Sequence, residues 1–573
     1  MSNDATALPA GQAAPAADAK STSFLVHAKL VGLLTLLSRI VGLGREIVAS
    51  HFIGAGLVGS AFSIAWTVPN LFRKLFGEGA LSAGFIPLYA QSLKQDPSQS
   101  RQFAAAAVNL LICILIAITL IGEVVLLLLL VMVDGQRRDL VLAIKLTMVM
   151  LPYVVLICGS AFLSGVLQVH KRFGPPAFAP VVLNLCHITV VLLGAYLLGL
   201  KGKTHGEQAV ALQTTLSYWL AVTVLVAGVL QVAILVPALR EVGFRFIWIR
   251  NFWTAAVRKM IKLSIPVAIG TGVLQLSVLM DKGISALLMQ GIGPDGNLIT
   301  HFSLFGHAIR LPMELGAPAR LYYAQILYQF PLGIFAIALA TAIFPALSAD
   351  AMEVDLNRFK RNLRQGIEAS MWEGLPASIG LMLVAEPTAR LLFQHGQISS
   401  HDAELIARSV MFYGAAIWAF SLQQILSRAY YALHDTVTPV VMSAITLAVN
   451  LAVELPLVWT PLGEAGMAAG TMVSFSLQAV VMLWLLNRKT NGLGLSLMIP
   501  RLLKMLLATA IMSAACIAVQ HLPFYPHGHG RWALSGQLGL VIGTGAAIYL
   551  LTCHLLGIHL ADELLPRRRR RSA

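Results

Sequence analysis

Charge is what this sequence lacks. Only 12% of its 573 residues are Asp, Glu, Lys or Arg, against roughly a quarter in ordinary soluble domains. Hydrophobic residues make up 57% and the mean hydropathy is +0.77. Those values exclude a typical soluble enzyme and describe a polytopic membrane protein. Cysteine is scarce too. Cys113, Cys158, Cys186, Cys516 and Cys553 all fall in apolar runs without metal-ligand spacing. They read as small buried hydrophobes, with no disulfide framework. Also missing are a Walker A sequence, HExxH, a nucleophile elbow and a dinucleotide fingerprint. No cofactor is expected, and uphill transport would draw on an ion gradient, the membrane potential or a partner.

What is abundant is long apolar runs. Counting stretches of about 20 residues, long enough to cross a bilayer, predicts fourteen helices and an all-α fold. Their spans are 27–50, 56–76, 104–133, 144–169, 178–199 and 214–238, then 254–288, 321–348, 366–393, 405–432, 436–458, 464–487, 497–521 and 532–557. Residues 1–22 are rich in Ala, Pro, Ser and Asp and read as a disordered cytoplasmic tail. An N-terminal lobe is expected over 27–240 and a C-terminal lobe over 254–489. Two further helices occupy 497–558, and a basic tail 559–573.

The excess of positive charge does not point to nucleic acid. With both termini cytoplasmic, most Lys and Arg fall on that side, among them Arg240, Arg245, Arg250, Arg258, Lys259 and Lys262. That is the positive-inside bias. The tail Arg567–Arg571 reads as an anchor to anionic membrane lipids.

The lobes look like a repeat. Phe85-Ile86-Pro87-Leu88 finds an echo in Ile343-Phe344-Pro345-Ala346-Leu347, and Pro180-Val181-Val182 in Pro439-Val440-Val441, in the same order. Matching segments share an orientation, so the repeats would be parallel. Residues 289–320 form an extracytoplasmic insertion rich in Gly and Pro, with a short amphipathic piece expected over His301–Leu315. His301 and His307 read as interfacial side chains rather than metal ligands.

Arginines occur where a membrane helix tolerates them poorly. The first block reads Ser38-Arg39-Ile40-Val41-Gly42-Leu43-Gly44-Arg45-Glu46, followed by Pro69-Asn70-Leu71-Phe72-Arg73-Lys74, Glu78-Gly79-Ala80 and Phe85-Ile86-Pro87. An Arg at a helix centre costs roughly 2.5–3.5 kcal/mol on insertion scales, so such residues usually face a bundle interior or a watery cavity. Arg39, Arg45 and Arg73 either line a pocket for an anion or snorkel to an interface. Three polar positions suggest an ion site: Asp281, with Asn450 and Glu454 four apart on one helical face. With Thr471 they would suit Na⁺, which prefers oxygen ligands, while a buried carboxylate could carry H⁺ instead. The alternative is an Asp281–Lys282 ion pair at the membrane edge, with Glu454 near an interface.

The arginine block resembles the opening of the MurJ/MviN lipid II flippases. Arg172-Phe173 with Pro176-Ala177-Phe178-Ala179-Pro180 and Asn184 continues the likeness, as do Phe330-Pro331-Leu332-Gly333, Leu392-Phe393-Gln394-His395-Gly396 and Tyr430-Tyr431-Ala432-Leu433. The resemblance runs from about residue 27 to 560. It implies a fourteen-helix transporter of the multidrug/oligosaccharidyl-lipid/polysaccharide exporter superfamily in a bacterial cytoplasmic (inner) membrane. Such proteins carry lipid II between leaflets by alternating access. The family's cavity cations match Arg39, Arg45 and Arg73, and Asn70, Glu78 and Asn184 join them as candidate substrate-binding residues. In sodium-linked members the ion ligands lie in the seventh and eleventh helices, where Asp281, Asn450 and Glu454 stand. Two positions depart from the pattern: Ser60 replaces an acidic residue, and Ile326 replaces a cavity arginine. They leave open another lipid-linked oligosaccharide as substrate. A non-transporting scaffold that engages cell-wall synthesis proteins is the alternative from another class.

Overall fold

The computed structural model describes residues 16–558 apart from 201–205, 250–251, 335 and 354–355, and leaves aside the side chains of 16–31, 77–83, 274 and 304. The tail Arg567–Arg571 lies outside the described residues.

Nineteen α-helices make up almost everything described. In the first half they are α1 (Ala16–Ile53), α2 (Leu57–Phe72), α3 (Leu81–Gln95), α4 (Pro97–Val133), α5 (Arg138–Met150), α6 (Tyr153–Val169), α7 (Gly174–Leu197) and α8 (Glu207–Glu241). A π-helical segment, Arg73–Ala80, joins α2 to α3. Then α9 (Ala255–Leu288) leads to two β-hairpins. The second half holds α10 (Ala317–Ile334), α11 (Ala336–Asp350), α12 (Asn357–Leu383), α13 (Ala385–Phe393), α14 (Ser400–Ala415), α15 (Ile417–Ala432), α16 (Val437–Val458) and α17 (Ala465–Lys489). α18 (Ile499–Gln520) and α19 (Arg531–Leu555) complete the bundle.

Among the described residues, nine helices are long and apolar enough to cross a membrane, or up to twelve if each bent pair is one span. The pairs are α5–α6, bent by 43°, α12–α13, bent by 66°, and α14–α15, bent by 43°. The α5–α6 bend falls at Leu151-Pro152, where the proline ring removes a backbone donor.

Three expectations are corrected. Helix α1 is described from Ala16, so residues 16–22 of the expected tail are helical, in keeping with a run of mostly good helix formers. The second predicted span does not end near 76. Its helical path runs through the π segment to Gln95, and the expected loop shrinks to Asp96, which caps α4 by accepting from Ser98 N at 2.7 Å. The amphipathic piece at His301–Leu315 is a β-hairpin, β3 (His301–Leu304) against β4 (His307–Arg310), after a smaller one, β1 (Gly291–Ile292) against β2 (Leu298–Ile299). Phe305-Gly306 at its tip takes positive φ at both residues, the turn that matches strand twist. His301 and His307 are exposed on it.

The apolar interior has three parts. One is built from the first half, including Phe85, Phe103, Phe162 and Leu216. A second uses Phe359, Ile425, Tyr430 and Met505 of the second half and α18. A third, with Ala55, Met289, Leu321 and Phe393, ties the halves together at the end carrying the hairpins. Helix α9 bridges them along its length, packing on the π segment, α3 and α16.

A cationic cavity between the halves

Helices α1, α2, α6, α7 and α8 with the π segment from one side, and α9, α10, α14, α15, α16 and α17 from the other, line a cavity of about 450 Å³. Its size falls within the usual range for ligand sites, about 300–1,000 Å³. Arg39, Arg45, Arg73, Asn70 and Asn184 all line it. The side chain of Glu78, the remaining candidate, lies outside the described residues. The arginines therefore face an interior space rather than the lipid.

They are held differently. The Arg45 guanidinium pairs with its neighbour Glu46, which also accepts from Tyr322 Oη at 2.7 Å, and it sits 5.2 Å from the Trp66 ring. Arg73 donates from Nε to Asn70 Oδ1 at 3.0 Å. Asn184 donates to the Ser38 carbonyl at 3.3 Å, fixing α7 against α1 beside Arg39. Arg39 has no hydrogen-bonding partner among the described residues and lies against Gly333 of α10. Lys74 and Lys282 add further positive charge, while Glu46 and Asp281 are the acids on the wall. The net balance favours an anion.

The second half presents aromatic rings to the same space. Tyr328 stacks with Tyr413 at 5.0 Å, and Phe420 meets Phe475 edge-on at 4.7 Å. Gln325 donates to Tyr413 Oη at 3.3 Å, and Ile326 stands beside it on the wall. Position 326 thus faces the cavity. Ser60, the other departure, is fully buried outside it.

The ion-site candidates converge on one flank. Asn450 Nδ2 donates to Asp281 Oδ1 at 3.2 Å and to Glu454 Oε2 at 2.9 Å, and its Oδ1 accepts from Ser474 Oγ at 3.3 Å. The Oε1 of Glu454 is buried with no partner among the described residues. Helix α17 brings a second hydroxyl beside the expected Thr471. Thr471 lines the cavity, but its hydroxyl donates to the Met467 carbonyl at 3.1 Å, the usual back-bond of a helical threonine. Ser474, one turn on, makes a similar bond to the Thr471 carbonyl at 3.1 Å and also reaches Asn450. Gly470 permits that approach, since a Cβ there would lie 2.7 Å from the Glu454 Cβ. The alternative, an Asp281–Lys282 ion pair, is not formed among the described residues. Lys282 is buried and donates to the Pro318 carbonyl at 2.8 Å, beneath the Tyr322 ring.

At the hairpin end the halves are sealed together above the cavity. His51 and His395 approach at 3.0 Å through their Nδ1 atoms, Gln397 N donates to the His51 carbonyl at 3.0 Å, and Tyr323 Oη donates to the Gly54 carbonyl at 3.0 Å. Arg137 donates to the Ala286, Leu287 and Met289 carbonyls, capping α9. Arg320 is buried nearby in ion pairs with Glu464 at 2.6 Å and Asp402 at 2.9 Å. Glu46, Tyr322 and Ser474 escaped sequence reasoning as site residues. Only Glu46 carried a signal, an acid beside an intramembrane arginine.

The sequence profile of the family described as "Lipid II flippase MurJ" matches residues 49–525, most of the chain. The chain belongs to the MurJ family. Relatives named "Probable lipid II flippase MurJ" include one from Rhizobium meliloti (strain 1021), 30% identical over 86% of each chain. Another, from Vibrio cholerae, is 28% identical over 93% of this chain and 96% of its own. A solved structure titled "Lipid II flippase MurJ, inward closed conformation" superposes with a TM-score of 0.70 at 20% identity, covering 93% of this chain and 99% of that one. A multidrug resistance MATE transporter of the MOP superfamily gives 0.59 at 13% identity, over 81% and 98%. At those identities both show the fold alone, and it is the fold of the MurJ family.

Proposed function

We propose that this protein flips lipid II, an undecaprenyl-pyrophosphate-linked peptidoglycan precursor, from the inner to the outer leaflet of a bacterial cytoplasmic membrane. The observation that carries this is the cluster of Arg39, Arg45, Arg73, Lys74 and Lys282 around one cavity in a MurJ-family bundle. Guanidinium groups offer paired donors to pyrophosphate oxygens. Arg39, without a hydrogen-bonding partner among the described residues, is the first available to them. The apolar faces of Tyr328, Tyr413 and Phe420 opposite suit the sugars.

In this reading the chain crosses the membrane fourteen times: the twelve spans above, plus α1 and the continuous path α2–α3. Both termini are then cytoplasmic, and the hairpins lie outside. Two six-helix lobes, α1–α8 and α9–α17, rock about the cavity. The seal at His51, Gly54, His395 and Gln397 must break to release substrate outward. Asp281, Asn450, Glu454 and Ser474 form the coupling site. Their oxygens and the unpartnered Glu454 Oε1 fit a monovalent cation or a proton.

A second reading keeps the mechanism but changes the cargo to another undecaprenyl-linked oligosaccharide, favoured by Ile326 on the cavity wall. One experiment separates the readings: deplete the lipid II flippase of a model bacterium and express this chain. Rescue that is lost in Arg39→Ala at equal membrane abundance supports lipid II. Failure of the parent chain to rescue, at normal abundance, would reject it.

A further inference from the structure

A second cavity, of about 790 Å³, lies on the first half, at the end opposite the hairpins and apart from the central one. Helices α4 and α8 both pack on α6, and Val108, Leu156, Gly159, Phe162 and Leu239 wall the space between them. Gly159 faces open volume, since a Cβ there would meet nothing within 4 Å. The walls carry no acid and no hydrogen-bonding side chain except at the mouth, where Arg240 and Arg245 stand.

The mouth is built by the end of α8. Gly243 takes φ 75°, its N–H and that of Phe244 bond back to Arg240 and Leu239, and the chain turns so that Phe244 becomes a wall of the cavity. Asn109 Nδ2 then donates to the Ile247 carbonyl at 3.2 Å, pinning the following stretch to α4. That stretch exposes Phe246, Ile247 and Trp248 beside Arg245. Aromatic and basic residues in alternation are the composition of a membrane–water boundary. Arg101, at the start of α4, brings its guanidinium within 3.8 Å of the Cβ position of Gly243. Arg101, Arg240 and Arg245 have no carboxylate partner among the described residues. Neighbouring Arg172 and Glu241 are already paired with each other at 3.1 Å.

We propose that this cavity holds an acyl chain of an anionic glycerophospholipid of the adjoining leaflet, its phosphate held by Arg240, Arg245 and Arg101. An apolar chamber with a cationic mouth at the level of the headgroups matches both parts of such a lipid. A basic pocket between membrane helices is a recurring way to select anionic headgroups. The occupant is thus a resident lipid, not the transported one, whose charged group belongs at Arg39 in the other cavity.

Native mass spectrometry on the full-length, delipidated protein tests this, with phosphatidylglycerol, phosphatidylethanolamine and undecaprenyl phosphate as separate probes. The parent should retain phosphatidylglycerol at least tenfold better than phosphatidylethanolamine, and Arg240→Ala with Arg245→Ala should erase the preference. Gly159→Leu and, independently, Leu163→Trp fill the chamber and should lower phosphatidylglycerol occupancy at an unchanged unfolding temperature. Equal retention of the two phospholipids by the parent would overturn the proposal. So would unchanged occupancy in both folded chamber variants. Preferential uptake of undecaprenyl phosphate that the chamber variants abolish would assign the space to the polyprenyl chain and overturn it as well.

Discussion

Arg39, Arg45 and Arg73 share one cavity but not one role. Glu46 neutralises much of Arg45 and Tyr322 orients that carboxylate, whereas Arg39 has no ion-pair partner among the described residues. Loss of Arg39 should therefore weaken substrate binding directly. Arg45→Ala should also strand Glu46 in the bundle, and a buried unpaired charge costs about 3–5 kcal/mol. Lower thermal stability is expected for Arg45→Ala and little change for Arg39→Ala. Equal stabilities in a melting assay on purified protein would contradict this division. Lysine at position 39 should restore rescue only partly, because an ammonium lacks the planar fork. Ile326 points into the same space, so Ile326→Arg should raise affinity for a pyrophosphate-bearing lipid. Well-formed charge-assisted contacts are worth about 1.5–3 kcal/mol, or at least tenfold in Kd. A lipid titration on parent and variant measures it, and unchanged affinity would show that this wall never meets the phosphates.

At the scale of elements, two junctions place the chemistry. The π segment Arg73–Ala80 opens where Arg73 must meet Asn70, and such widened turns recur at functional sites. The other junction is α9 against α16, itself packed on α17, where Asn450 links Asp281 to Glu454. The i, i+4 spacing of Asn450 and Glu454 was legible in the sequence, because it depends only on helical periodicity. The contact of Ser474 with Asn450 was not, because the close fit of Gly470 on Glu454 sets how α17 meets α16. If the cluster binds Na⁺, the parent should melt at higher temperature in NaCl than in choline chloride, and Asp281→Ala should lose that shift. Gly470→Leu, which pushes α17 away, should lose it too. A sodium shift retained in Asp281→Ala would remove the site.

For the whole molecule, the seal at the hairpin end is the contact that a transport cycle has to open. A Cβ on Gly54 would lie 2.8 Å from that of Gln397, close enough for a disulfide after a small relaxation. Gly54→Cys with Gln397→Cys should crosslink under oxidant and abolish rescue, with reductant restoring it and each single variant remaining active. Full rescue by the oxidised, crosslinked protein would mean that this end stays shut throughout the cycle. Apolar run length and the absence of charge by themselves determined an all-helical membrane bundle, since a lipid environment leaves a chain few other ways to satisfy its backbone. Local arginine density likewise pointed to an anion site before any geometry was known. The sequence did not reveal the hairpins in the insertion, the pairing of Arg45 with Glu46 and Tyr322, the withdrawal of Arg320 into a structural network or the second cavity. Each depends on groups tens to hundreds of residues apart, or on a turn set by two positive φ angles. Periodicity reports which face of a helix is apolar, and only the packing of helices against one another decides what that face meets.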